Sequence, residues 1–240
     1  MATVRLDKYI ASTLVISRKD AAALLKRGHI TVDGAVVTGG DTKVEPCAVQ
    51  VCCDGKPLVY EAFLYLMLNK PRGLVCAHED KRDGTVMSLF PAEYLAKGIA
   101  CVGRLDKDTV GLLLVTNDGS LAHTLLSPKS HAKKTYLVTA DKPFVPQDAE
   151  TMRRGIVIEG KNTAPAYLEP GENPFTARVT LTEGKFHEVK RLCYACGEKN
   201  VLRLERTDFA GLHLDPSLAE GQWRALTAAE VALLKNVKNG

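Results

Sequence analysis

The sequence predicts an α+β protein in two parts: a small N-terminal α/β module, followed by a mixed, largely antiparallel sheet with flanking helices. Three observations point there. Helix-like and strand-like patterns follow one another without the regular βαβ alternation of a doubly wound parallel sheet. The character of the chain changes near residue 60, after "DGKPLVYEAF", which sets domains of residues 1–59 and 60–240. The charge is also unevenly placed, because residues 1–31 carry six bases (Arg5, Lys8, Arg18, Lys19, Lys26, Arg27) against two acids, a surplus equal to the net charge of +4 for the whole chain. A basic segment on a neutral body suits recognition of backbone phosphates, where lysine and arginine displace condensed counterions.

Composition narrows the classes. At 240 residues, with 45% hydrophobic and 25% charged residues, the chain reads as a globular protein able to bury a sizeable core. No apolar run approaches the ~20 residues of a membrane span, and "MATVRLDKYI" has no hydrophobic signal core, so the expected location is the cytoplasm, with no membrane partner. Seven scattered cysteines are expected to be reduced. Cys193 and Cys196 form one isolated CxxC with no second ligand pair at zinc spacing, so no metal is expected.

Each element can be justified in order. In "RLDKYIASTL" Leu6, Ile10 and Leu14 recur every fourth residue and share a helix face. Ser17 followed by Asp20 is a capping-box arrangement, with Ile16 and Ala21 as a staple, and Gly28 ends the second helix. Leu24 and Leu25 fall on its inner face, which leaves Arg18, Lys19, Lys26 and Arg27 outside. "HITVDGAVVT" predicts two short strands about an Asp33-Gly34 hairpin turn. Downstream, strands are expected over Leu64 to Asn69, Gly111 to Thr116, Thr135 to Thr139 and Ala177 to Leu181. Helices are expected over Ser120 to Leu126 and Phe186 to Cys196, and a last one is capped by Thr227 with Glu230.

"RLDKYIA", "SRKDAAALLKRGHITVDG" and "VEP" together resemble the S4 RNA-binding domain over about residues 3 to 56. That resemblance implies a module that docks on structured RNA through the outer face of its second helix.

"GRLDKDTVGLLLVTNDG" raises the question of catalysis, since Asp106 and Asp108 stand just before the aliphatic run Leu112 to Val115. Read alone, the DxDx[TV] spacing admits a metal-dependent phosphohydrolase, but such a loop needs an apolar strand ahead of it, and here the strand follows. An EF-hand fails because its third ligand position would be Val110. A polar turn feeding a buried strand is the plain alternative. The motif, however, stands in a series: "LNKPRG", "GRLDKDTVGLLLVTNDG", "KTYLV", "EGKFHEVKRL" and "LERTDFAGLHL". In that order behind an S4 module, these resemble the bacterial pseudouridine synthases of the RsuA-like branch across essentially the whole chain.

The resemblance implies roles. Asp106 matches the essential aspartate, and Arg104 the arginine that enters the space left by an extruded nucleotide. Tyr136 matches the tyrosine that stacks on the target uracil, Lys190 the cation paired with the aspartate, and Leu204 an apolar neighbour of the base. Arg191 competes with Lys190 for the ion pair, and Lys70 and Lys134 fall among the substrate-binding residues. Glu188 stands where relatives often carry Gln. His187 reads as a surface or capping residue.

The implied reaction breaks the bond from ribose C1′ to N1, turns the uracil and rebuilds the link to C5. Substrate and product are isomers, so no cofactor is expected. A carboxylate in a poorly solvated pocket needs a nearby cation to stay charged, and an everted base needs an aromatic face. The expected partner is ribosomal RNA or a pre-ribosomal small-subunit particle, with a monomer as the default. The branch resemblance, "HEVKR" included, implies 16S rather than 23S rRNA. An S4-type assembly factor without chemistry ranks second and the phosphohydrolase third.

Overall fold

The computed structural model describes residues 3–14, 16–60, 63–158 and 160–237. The expected boundary at residue 60 abuts residues 61–62, which lie outside them. The chain falls into two compact units: one reaches to Leu64 and includes Ala92–Gly98, and the other comprises Tyr65–Pro91 with Ile99 onward.

In the first unit β1 (Val4–Arg5) leads into α1 (Leu6–Leu14), and α2 (Arg18–Lys26) follows. Leu6 and Ile10 are buried as their spacing requires. Ser17 caps α2 by accepting from the Asp20 backbone N–H at 3.1 Å. The reciprocal half of the box is not made, because the Asp20 carboxylate accepts the Ser17 hydroxyl at 2.6 Å. Next, β2 (Ile30–Val32) and β3 (Ala35–Val36) pair across Asp33 and Gly34, whose φ of +49° and +83° are those of a two-residue hairpin turn. β4 (Lys43–Val44) pairs with β1, while β5 (Val51–Cys53) and β6 (Lys56–Leu58) complete a four-stranded sheet in the order β3-β2-β5-β6. Leu6, Tyr9, Ile10, Leu25, Ile30 and Val51 form the core. The short α3 (Ala92–Ala96) belongs to this unit.

The second unit is built on a nine-stranded sheet. In chain order its elements are β7 (Tyr65–Lys70), β8 (Ala100–Cys101), β9 (Val110–Thr116), α4 (Gly119–Leu126) and β10 (Lys134–Ala140). After α5 (Pro146–Arg154) come the separate hairpin β11 (Val157–Ile158) and β12 (Lys161–Asn162), then β13 (Tyr167–Pro170) and β14 (Thr176–Leu181). The chain continues through α6 (Glu188–Ala195), β15 (Val201–Phe209), β16 (Leu212–His213), β17 (Trp223–Ala225) and α7 (Ala228–Lys235). Strand order is β13-β14-β10-β15-β9-β7-β17, with β16 added to β15 and β8 to β9. Every strand pair of this sheet is antiparallel except β15 with β9. This is the mixed, largely antiparallel α+β architecture expected.

All seven residues of β9 are buried, which explains its continuous aliphatic run: a central strand covered on both faces does not alternate. Gly111 in β9 has φ +99°, and a Cβ there would stand 2.4 Å from the Arg206 carbonyl oxygen of β15. Glycine therefore permits the close parallel pairing of the two central strands. Thr227 and Glu230 make the complete capping box on α7. The nine-residue β15 was not anticipated, nor was α5. Among the described residues no helix is long and apolar enough to cross a membrane.

Candidate active site

The Asp106 carboxylate sits on a turn immediately before β9. Thr109 N–H donates to the Asp106 carbonyl at 3.1 Å, and Gly73 N–H donates to the Lys107 carbonyl at 2.7 Å. Beneath the turn, the fully buried Lys70 at the end of β7 donates from Nζ to the carbonyls of Pro71, Lys107 and Thr109 at 3.0, 3.3 and 2.9 Å. Lys70 is thus not a surface cation offered to substrate. Its donors hold the turn that carries Asp106, a correction to the sequence expectation, and burial lowers its pKa.

The cation facing Asp106 comes from α6. Lys190 Nζ lies 3.1 Å from Asp106 Oδ2 and 2.7 Å from Asp108 Oδ1. Burial opposes the charge on Lys190, but the hydrogen bonds to Asp108 and Asp106 outweigh it and raise its pKa. Arg191, one position on and rotated about 100° round the helix, instead lies over the Phe186 ring at 5.4 Å. His187 precedes α6 in a left-handed conformation, φ +52°, which ends the helix two residues short of the expected start. Its Nε2 is 3.7 Å from Asp106 Oδ2, and its ring stacks on Phe186 at 3.8 Å. His187, expected as a surface or capping residue, is the N-cap of α6, and its ring also stands beside the carboxylate.

Two neighbouring strands supply the apolar wall. Tyr136 on β10 and Leu204 on β15 are 8% and 5% exposed. Between Thr135 and Tyr136 the register with β15 shifts, so that Asp208 and Arg206 face consecutive residues and Thr207 is the extra one. A bulge re-aims side chains beside it, and this one adjoins Tyr136. Arg104, Asp106, Tyr136, Leu181, Glu188 and Leu204 line one cavity of about 80 Å³.

Glu188 is 4% exposed. Its Oε2 accepts from the Lys185 backbone N–H at 2.7 Å, while Oε1 has no hydrogen-bond partner among the described residues. Burial, reinforced by the neighbouring Glu183 carboxylate, raises its pKa to about 7. Glu183 itself accepts from Ala164 N–H at 2.6 Å and Lys185 Nζ at 3.0 Å.

Behind the Asp106 turn lies further buried charge. Arg206 on β15 donates from Nε to the Leu112 carbonyl at 2.8 Å. Leu105 N–H donates to Cys76 Sγ at 3.3 Å. A hydrogen bond from Cys101, that N–H and the cations Lys70 and Arg206 together bring the Cys76 thiol down to about 6 against the effect of burial. Lys134, expected near substrate, turns back to donate to the Ala132 carbonyl at 3.0 Å, and burial together with Arg206 lowers its pKa. Cys193 and Cys196 are buried, which pushes their thiols up to about 12 and about 11.

Two of the six N-terminal cations also have internal work. Arg5 and Arg18 reach Asp7 at 2.9 and 2.8 Å and lower its pKa to about 2. Lys8, Lys19, Lys26 and Arg27 are exposed.

A family model described as RNA pseudouridylate synthase matches residues 64–195, and one described as S4 domain matches residues 4–49. Over 235 residues the chain is 42% identical to the RNA pseudouridine synthase YtzG of Bacillus subtilis (strain 168), across 96% of this chain and 98% of that one. The chain belongs to the RNA pseudouridylate synthase family. This synthase is also 40% identical over 232 residues to ribosomal small subunit pseudouridine synthase A of Escherichia coli (strain K12), across 95% of its own length and 99% of the relative's. A crystal structure of a pseudouridylate synthase matches 96% of the synthase with TM-score 0.67 and 35% identity.

Proposed function

We propose that the synthase isomerises a uridine of small-subunit ribosomal RNA, with Asp106 as the catalytic carboxylate. One observation carries this reading: Asp106, Tyr136 and Leu204 line one cavity, and Lys190 Nζ stands 3.1 Å from the carboxylate. The full-length similarity to the E. coli small-subunit enzyme supports the choice of rRNA.

The roles follow from the residue types. A target base inside a stack is out of reach, so the nucleotide swings out and its uracil lies against Tyr136 with Leu204 alongside. Asp106 then works at the sugar, either by attack on C1′ or by taking the C2′ proton, and both require the ionised carboxylate that Lys190 stabilises. Arg104, exposed at the rim, enters the space the nucleotide leaves. Arg191 contacts the strand beside the cavity. The uracil detaches from C1′ through N1, turns and rejoins through C5; the C5 proton leaves and N1 takes up a proton, so the atoms balance without a co-reactant.

Residues 1–59 serve as the RNA-docking module and residues 60–240 as the catalytic domain. In the module Lys8, Lys19, Lys26 and Arg27 meet phosphates directly, while Arg5 and Arg18 also brace Asp7. The enzyme acts as a monomer in the cytoplasm, on naked rRNA or a pre-ribosomal small-subunit particle.

The test is release of tritium from 16S and 23S rRNA labelled at uracil C5, free and as assembling particles. Release from 16S substrates alone is the expected result. Release from 23S alone would overturn the subunit assignment, and none from either would overturn the rRNA assignment.

A further inference from the structure

A second, larger cleft of about 530 Å³ opens beside the cavity that holds Asp106, and His187 lines both. Its helical wall is formed by His187, Lys190, Arg191 and Tyr194. Counted from His187 they fall three, four and seven residues on, so they lie on one face of α6 and its N-terminal cap. Tyr194 is 55% exposed, and across the cleft the β11 residue Val157 is 67% exposed. The Arg191 guanidinium lies over Phe186, which stacks in turn on His187. This orders the cation next to the shared wall.

A strand whose target base enters the first cavity has this wall directly beside it. What it meets there is an ordered guanidinium, an ammonium already committed to Asp106 and Asp108, and an accessible aromatic ring. Cations for phosphate and an aromatic face for a base are the elements by which proteins hold single-stranded nucleic acid. Building on the proposed RNA reaction, we infer that this cleft holds the nucleotide adjacent to the target in the same strand, its base stacked on Tyr194 and its phosphate facing Arg191.

The experiment uses the full-length enzyme and an rRNA fragment that the wild type modifies, intact or with an abasic residue immediately 5′ or 3′ of the target. Stacking of one base predicts that Tyr194→Ala raises KM about tenfold. It leaves kcat within about twofold, and Tyr194→Phe keeps the parental KM. One of the two abasic substitutions raises KM by about the same factor in the wild type and has no further effect in Tyr194→Ala. An unchanged KM in Tyr194→Ala, or abasic effects equal in both enzymes, overturns the subsite. If the wild type modifies no rRNA, the functional reading fails separately. The subsite is then read from oligouridine binding by fluorescence anisotropy, where about tenfold weaker binding by Tyr194→Ala supports it and equal binding overturns it.

Discussion

Replacing Glu188 with glutamine should make the protein more stable, and only at higher pH. Burial, with Glu183 as a like-charged neighbour, moves this carboxyl from an ordinary 4.5 to about 7. At 1.36 kcal/mol per pH unit of displacement, ionising it in the folded state costs about 3 kcal/mol. The sign follows from which state ionises first. Below about pH 4.5 the group is neutral in both states, so it changes nothing. Between 4.5 and about 7 the unfolded chain ionises first and stability falls, and above about 7 the whole penalty is present. Glutamine keeps an oxygen to accept from Lys185 N–H and carries no charge. Glu188→Gln is therefore expected to gain about 3 kcal/mol at pH 8 and under about 0.5 kcal/mol at pH 4.5. Urea unfolding read by Trp223, the single tryptophan, reports the larger unit, where Glu188 lies. Equal gains at both pH values, or a loss at pH 8, would refute the argument that its surroundings oppose the charge.

Three further outcomes are expected. Lys19→Glu with Lys26→Glu should weaken rRNA binding and flatten the salt dependence by roughly two phosphate contacts, measured by filter binding between low and moderate salt; an unaltered slope removes α2 from the docking surface. Tyr136→Phe keeps the aromatic face and removes only the hydroxyl, so RNA affinity should hold within about twofold while single-turnover rates fall; a matching loss of affinity would contradict that division. Gly111→Ala places a Cβ against the Arg206 carbonyl at a φ that side chains rarely adopt, and should lower stability by about 3 kcal/mol or more in denaturant unfolding. A change below 1 kcal/mol would mean the central strands can separate freely.

Residue by residue, the sequence was legible where local chemistry decides the structure. The Asp33-Gly34 hairpin, the Thr227 cap and the aliphatic β9 behind the Asp106 turn were all found at their expected places. It was opaque where charge is buried. β15 carries Arg203, Glu205 and Arg206 among its apolar residues and does not read as a central strand, yet Arg206 is buried with its Nε bonded to the Leu112 carbonyl. Lys70 misled for the same reason: a lysine is expected at the surface unless its partners are known, and these carbonyls are separated from it by up to 39 positions. The start of α6 was hidden as well. His187, in its left-handed conformation, sets that point, and no pattern of hydrophobic residues signals it.

The most direct measurement is pseudouridine formation by Asp106→Asn under single-turnover conditions, with rRNA affinity determined on the same sample. Removing the negative charge while keeping the size of the side chain should leave binding within about twofold and abolish both tritium release and pseudouridine. Turnover by Asp106→Asn at a rate near that of the wild type would contradict the account, since the carboxylate beside Lys190 would then have no part in the chemistry.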